Sequence, residues 1–204
     1  MEVVIIGAYP MKKNIWTVLI CFLISGCVVG SENPFYTPDL VVDKADLYGK
    51  WFFDESIEPG ENSPLVLSEG KLTLYDDTGA PADAKLTFFQ VEGVLFADIF
   101  PEKGEIKTEL VGDLPPVHLI SLVKYENEKL YLNPMDYDWL AKEVEAGTIK
   151  LPYKKAGHDT DILFTASSAQ WVEFLKAHLK DPKAFPQDTE GWLTRKIPQA
   201  KKSP

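Results

Sequence analysis

Residues 85–100 read KLTFFQVEGVLFADIF. Two apolar runs, Lys85 to Gln90 and Val94 to Phe100, flank Glu92-Gly93, and a connection that short with a glycine in it joins antiparallel neighbours as a hairpin. The same grammar repeats outward along the chain. Leu65 to Leu67 and Lys71 to Tyr75 flank Ser68-Glu69-Gly70, and Val117 to Tyr125 and Lys129 to Leu132 flank Glu126-Asn127. Tyr48 to Asp54 reads as a further strand before these, and Pro115-Pro116 marks a break ahead of the Val117 run, since proline is excluded from strand interiors.

The second half changes period. Asn133 is placed to cap a helix with Pro134 at its first position, Asp136 and Asp138 in the first turn and Gly147 at its close. Met135, Trp139, Leu140 and Val144 give that helix a partial apolar face. A second helix begins near Ser167, where Gln170 three residues on completes a capping-box pattern; Trp171, Phe174, Leu175, His178 and Leu179 follow at helical spacing up to Pro182. Short strands, Thr160 to Thr165 and Trp192 to Ile197, lie on either side. Strands dominate and no strand–helix–strand alternation occurs, so the expected fold is β-rich α+β: an antiparallel, curled or barrel-like sheet with two helices in the C-terminal half.

The N-terminus carries an address. From Met11, which we take as the true start, Lys12 and Lys13 precede an apolar run from Ile15 to Ile24 and then small residues, the layout of a secretory signal. About ten apolar residues are half of the roughly twenty that a helical span requires. Leu23-Ile24-Ser25-Gly26-Cys27 resembles the lipobox of bacterial lipoproteins. That resemblance implies cleavage before Cys27, acylation of its thiol and amine, and attachment to a membrane through the acyl chains, because two or more chains anchor stably where one does not. With Val28 rather than an acidic residue next, the resemblance favours the outer membrane over the inner. On this reading residues 1–26 are a signal peptide, 27–46 the lipidated cysteine and a flexible tether interrupted by Pro34 and Pro38, 47–197 a single domain, and 198–204 a polar tail.

Removing residues 1–26 takes away Glu2, Lys12 and Lys13 and leaves 178 residues with 19 basic and 30 acidic side chains, a charge of −11. A body this acidic is repelled by phosphate backbones, which argues against nucleic-acid binding despite Lys201-Lys202, and leaves a basic protein partner open. Cys21 falls in the removed run and Cys27 is the lipid site, so no thiol remains for a disulfide, a metal or catalysis, and the domain depends on its own apolar core.

Gly49-Lys50-Trp51, at the mouth of the first strand, resembles the glycine-any-tryptophan signature that opens lipocalin barrels. In that family the tryptophan closes one end of the barrel under an arginine from late in the chain, which implies a pairing of Trp51 with Arg195, the single arginine in the sequence. A guanidinium over an indole is worth roughly 0.5–2 kcal/mol. The chain departs from the family in lacking a clear middle motif and in placing helices among the late strands. Trp51 is otherwise a core anchor.

Other constellations have plainer readings. Asp77-Thr78-Gly79-Ala80 resembles the catalytic loop of retroviral-type aspartic proteases, but Asp76 before it and Pro81, Ala82 and Asp83 after it are turn chemistry. His118, His158 and His178 have no spacing that would aim two rings at one ion, so no metal site is signalled. Ser167 and Ser168 lack a nucleophile elbow and read as caps. Trp139, Trp171 and Trp192 fit core positions better than a ligand cavity. No catalytic set and no cofactor motif is expected. The functional expectation is an envelope lipoprotein with a non-enzymatic binding or structural role. The alternatives are a lipocalin-like carrier of a small apolar ligand, a hydrolase or isomerase whose residues converge only in the fold, and an acidic inhibitor of a basic protein.

Overall fold

Along Pro81–Val91 and Val94–Pro101, alternate side chains go to different places: Ala84, Leu86, Phe88 and Ala97 join one buried cluster, Phe89, Val91 and Phe96 another. Period-2 alternation with both faces apolar requires a sheet covered on both sides. The computed structural model, which describes residues 28–53, 64–75, 79–101, 116–156, 161–186 and 192–195, shows how. In chain order the strands are β1 (Gly30–Ser31), β2 (Gly49–Phe53), β3 (Leu65–Ser68), β4 (Lys71–Tyr75), β5 (Pro81–Val91), β6 (Val94–Pro101), β7 (His118–Glu126), β8 (Lys129–Pro134), β9 (Tyr153–Ala156), β10 (Asp161–Phe164) and β11 (Trp192–Thr194). Helix α1 (Tyr137–Glu145) follows β8 and helix α2 (Ser168–His178) follows β10; short 3₁₀ turns cover Pro38–Leu40 and Ala45–Leu47.

Strands β2 to β8 pair in succession, and β11 closes the circle between β8 and β2, giving a closed barrel of eight antiparallel strands. The expected β-rich, barrel-like antiparallel architecture with two helices late in the chain is therefore the observed one. A side branch leaves the barrel where β8 ends: β1 takes its place against the start of β7, β10 runs parallel to β1, and β9 forms the outer edge. The barrel interior is filled by Trp51, Leu65, Leu67, Leu86, Phe88, Leu130 and their neighbours. The second core lies outside the wall, where Phe89, Phe96, Ile120 and Leu122 meet Phe35, Leu140, Phe164, Trp171 and Leu175. Burying the barrel wall on its outer face explains why these strands carry large apolar residues at successive positions rather than a polar outer row.

The stretch expected as a tether is instead part of the fold, a correction that begins one residue after Cys27. Val28 bridges to Asp136, Val29 and Phe35 are fully buried, and Val42 donates its N–H to the Phe88 carbonyl at 2.9 Å. Local composition misled because the two prolines and the polar Ser31-Glu32-Asn33 are used as contacts. Ser31 and Asn33 satisfy buried partners, and Pro38 starts a 3₁₀ turn at a position that tolerates a missing N–H. Asn133 and Pro134 are corrected too. Both belong to β8, Pro134 sitting at its last position, and α1 starts at Tyr137 with Asp136 as its cap, accepting from the Trp139 N–H at 2.7 Å. The Ser167–Gln170 capping box forms as read from the sequence. Pro81 to Asp83, read as turn residues, open β5, paired with Tyr75 to Thr73. Residues 1–27, Asp77, Thr78, His158 and 198–204 lie outside the described residues. Among the described residues no helix is long and apolar enough to cross a membrane.

Candidate functional site

The two ends of the barrel differ in kind. The tight turns at Glu69-Gly70, Glu92-Gly93 and Asn127-Glu128 all lie at one end, fixed by the pairs Ser68↔Lys71, Val91↔Val94 and Glu126↔Lys129. The longer connections, from β2 to β3, β4 to β5, β6 to β7 and β8 to β11, all leave from the other. An eight-stranded barrel is just wide enough either to fill with side chains or to hold one small ligand, so the state of each end decides what it can do.

The tight-turn end is shut. The Ala45–Leu47 turn crosses it, and the fully buried Trp51 donates its indole N–H to the Leu47 carbonyl at 2.8 Å. The carbon of the Arg195 guanidinium lies 4.7 Å from the centre of the Trp51 ring, and its Nη2 donates to the Asp46 carbonyl. Tyr125 packs edge-on against Trp51 with ring centres 5.8 Å apart. Tyr48 donates to Asp43 at 2.8 Å, and partial burial together with that carboxylate pushes its phenol up to about 12. The pairing implied by the lipocalin resemblance, Trp51 under Arg195, is thus within cation–π distance, and the first and last strands of the barrel are tied at one point.

Toward the other end the inward-facing Leu74, Ile99 and Leu132 are only partly buried. They line the approach to the barrel core from the end opposite the plug.

No family model, curated protein or solved structure matches this chain.

A third feature lies in the wall. The ladder between β6 and β7 runs from Ile99↔Leu119 to Phe96↔Leu122 and stops. Below that point Val94 and Leu95 stay with β5, while Val123 to Glu126 stay with β8, so the two strands part. A cleft of about 630 Å³ occupies the seam, with Leu47, Leu95, Leu122 and Val123 among its lining and Lys44, Lys124 and Lys180 contributed by three different elements. Lys44 is also 3.1 Å from the Asp46 carboxylate.

The remaining polar residues hold the fold together. Asp98, 2 % exposed, accepts from the Phe35 N–H at 3.0 Å through one oxygen and meets Nδ1 of His118 at 2.7 Å through the other. Ser31, directly opposite His118 in the ladder, accepts from the Trp171 indole at 2.8 Å and from the Asn33 N–H at 3.2 Å. The carboxylate–imidazole pair thus acts as a buried clip on the N-terminal segment. His178 sits between Trp139 and Phe174, ring centres 5.5 and 4.7 Å away, as a half-buried extension of an aromatic row. Trp171 is fully buried in the outer core with Phe35 at 4.5 Å. Trp139 packs beside that core and Trp192 lies under Lys129 at 3.7 Å, so none of the three tryptophans lines the barrel interior. Ser167 caps α2 and Ser168 donates to the Pro34 carbonyl at 2.8 Å. Among the described residues no three of His, Cys, Asp and Glu are grouped to hold a metal ion. Sequence reasoning missed Asp98 and the seam. Asp98 carried a signal, an acidic residue at an apolar-run position between Ala97 and Ile99; the seam carried none, because where a ladder stops is not written locally.

Proposed function

We propose that this chain is a lipid-anchored envelope protein, attached through Cys27 and placed in the outer membrane, whose barrel acts as a non-enzymatic binding module for a small apolar ligand at the long-connection end. One observation carries the reading: the barrel is closed and plugged at one end by Trp51 and Arg195, while at the other its inward apolar residues Leu74, Ile99 and Leu132 are left partly exposed. A stapled end and an end whose inward apolar side chains stay partly exposed are the arrangement in which small barrels take up ligands. The filled interior limits the ligand to the mouth, beside Leu74, Ile99 and Leu132. The lipobox sequence supports the anchor, and the charge of −11 supports exclusion of nucleic acid.

The binding reading is tested by purifying the full chain from membranes, extracting it with organic solvent and identifying what is released. We expect near-stoichiometric recovery of a small apolar compound. Leu132→Glu, which places a charge in the approach, should lower that recovery by about tenfold or more while cooperative unfolding persists. Recovery of nothing above a control lipoprotein sinks the binding role. The anchor is tested separately by labelling cells with an alkyne fatty acid: the native chain should incorporate it and Cys27→Ala should not.

A further inference from the structure

We infer that the seam between β6 and β7 is a peptide-docking site, where an extended apolar segment of a partner polypeptide adds to the open edge of β7. The inference goes beyond the proposed apolar ligand and concerns the opposite, plugged end of the barrel. The direction of the backbone groups carries it. In an antiparallel ladder the N–H and C=O of one residue point to the same neighbouring strand, and those of the next residue point away from it. Val91↔Val94 and Glu126↔Lys129 close two-residue turns, so each of these four residues bonds across its own hairpin. Counting on from Val94, Leu95 and Ala97 turn their groups toward β7. Counting back from Glu126, Tyr125, Val123 and Ser121 turn theirs toward β6. Ala97 meets Ser121 in register, as that count requires, and the ladder ends one residue later at Phe96↔Leu122. A pair of that kind needs one bond beyond it, from the Val123 N–H to the Leu95 carbonyl. What is left over, the Leu95 N–H, the Val123 carbonyl and both groups of Tyr125, faces the seam with no strand opposite among the described residues.

The space suits a chain. Its volume of about 630 Å³ falls inside the range of ligand sites, roughly 300–1,000 Å³. Leu47, Leu95 and Val123 line it from the barrel core, Leu122 and Leu179 from the outer core. Side chains of an extended segment alternate between two faces, and here both faces meet apolar surface. From Val123 to Tyr125 the open edge covers two residue steps, about 7 Å at roughly 3.3 Å each, which three residues of an added strand span. A backbone is also the occupant that answers the polar groups. A purely apolar ligand would cover the carbonyl of Val123, a residue 5 % exposed, without bonding to it, and a covered backbone group with no partner is costly. An added strand supplies a donor and an acceptor at every second residue, the mode in which sheet edges take up peptides.

The test uses the full chain purified from membranes and a capped pentapeptide of alternating valine and threonine, with amide hydrogen exchange read residue by residue. In the free chain the Leu95 and Tyr125 amides should exchange at least about tenfold faster than those of Phe96 and Lys124, which bond within their hairpins. Saturating peptide should slow Leu95 and Tyr125 by a similar factor and leave β3 and β4 unchanged. The same peptide N-methylated at every amide, and decanol as an apolar body without a backbone, should slow neither. Leu95→Trp, which fills the seam, should abolish the peptide's protection of Tyr125 while cooperative unfolding persists. Leu132→Glu, at the far end, should leave that protection intact, so a failure of the apolar-ligand reading is seen apart from a failure here. Slow exchange of both amides in the free chain, no saturable peptide binding, binding that leaves both amides fast, or equal protection by either control would overturn the inference.

Discussion

At the scale of single residues, the plug is the feature that links sequence to architecture. Trp51 is fully buried, bonded through its indole to Leu47 and covered by Arg195, which directly follows the last strand. Trp51→Ala should cost about 3–5 kcal/mol in urea unfolding, the range for removing a buried aromatic side chain. Arg195→Ala should cost about 0.5–2 kcal/mol, and Arg195→Lys should recover only part of it, because a lysine cannot lie flat on the indole while bonding to the Asp46 carbonyl. An Arg195→Ala variant as stable as the parent would show that the first and last strands do not depend on this contact. Asp83 offers a pH test. The Lys71 ammonium, and then the Thr73 hydroxyl at 2.6 Å, hold its carboxyl below the ordinary carboxylate value, outweighing the opposing effect of burial. A carboxyl lowered in the folded state contributes stability above its unfolded value and loses that contribution as pH falls through the folded one. Stability should therefore fall below about pH 4, and Asp83→Asn should flatten that part of the acid limb. An unchanged acid limb in the variant removes Asp83 from the account.

At the scale of elements, hairpin chemistry is where sequence and structure speak most directly. Glu92 and Gly93 both have positive φ, 48° and 82°, between the paired Val91 and Val94, as a two-residue turn matched to strand twist demands. Glutamate is a poor occupant of that region and asparagine a good one. Glu92→Asn should raise stability by about 0.5–1 kcal/mol, read as a higher urea midpoint at constant slope. A lower midpoint would mean that the Glu92 side chain makes a contact worth more than the backbone relief. The strands around these turns were legible because alternation and turn residues are local properties, and so was α2, whose cap and apolar stripe lie together between Ser167 and Leu179. Three elements were not. Strand β1 is two residues long and forms between two distant strands, β10 and the edge of β7 that β8 leaves free. Strand β9, Tyr153–Ala156, holds two lysines and is recruited by β10 alone. Asn133-Pro134 has the composition of a helix start, yet ladder pairing with Leu122 and Ser121 keeps it extended, a long-range gain that outweighs local preference. The candidate sites follow the same division: Trp51 and Arg195 were readable from a short motif and a lone arginine, whereas the seam depends on where two strands, more than twenty residues apart, cease to pair.

At the scale of the whole molecule, two apolar cores share one wall, and the N-terminal segment holds the outer one in place. Phe35 ties that segment to the wall and to α2: its amide bonds to Asp98 on β6, and its ring lies 4.5 Å from Trp171 on α2. Phe35→Ala should cost about 3–5 kcal/mol, and by hydrogen exchange the loss of protection should be larger in β1, β10 and α2 than in β3 and β4. Uniform loss across both cores would show that the wall transmits the damage and that the molecule opens as one unit. The early start of that segment also determines how the body would be carried. With Val28 already bridged to Asp136, the folded mass begins beside the start of α1. A lipid anchor just ahead of Val28, as proposed, would keep the surface around the start of α1 near the headgroups and narrow the range of orientations open to the barrel.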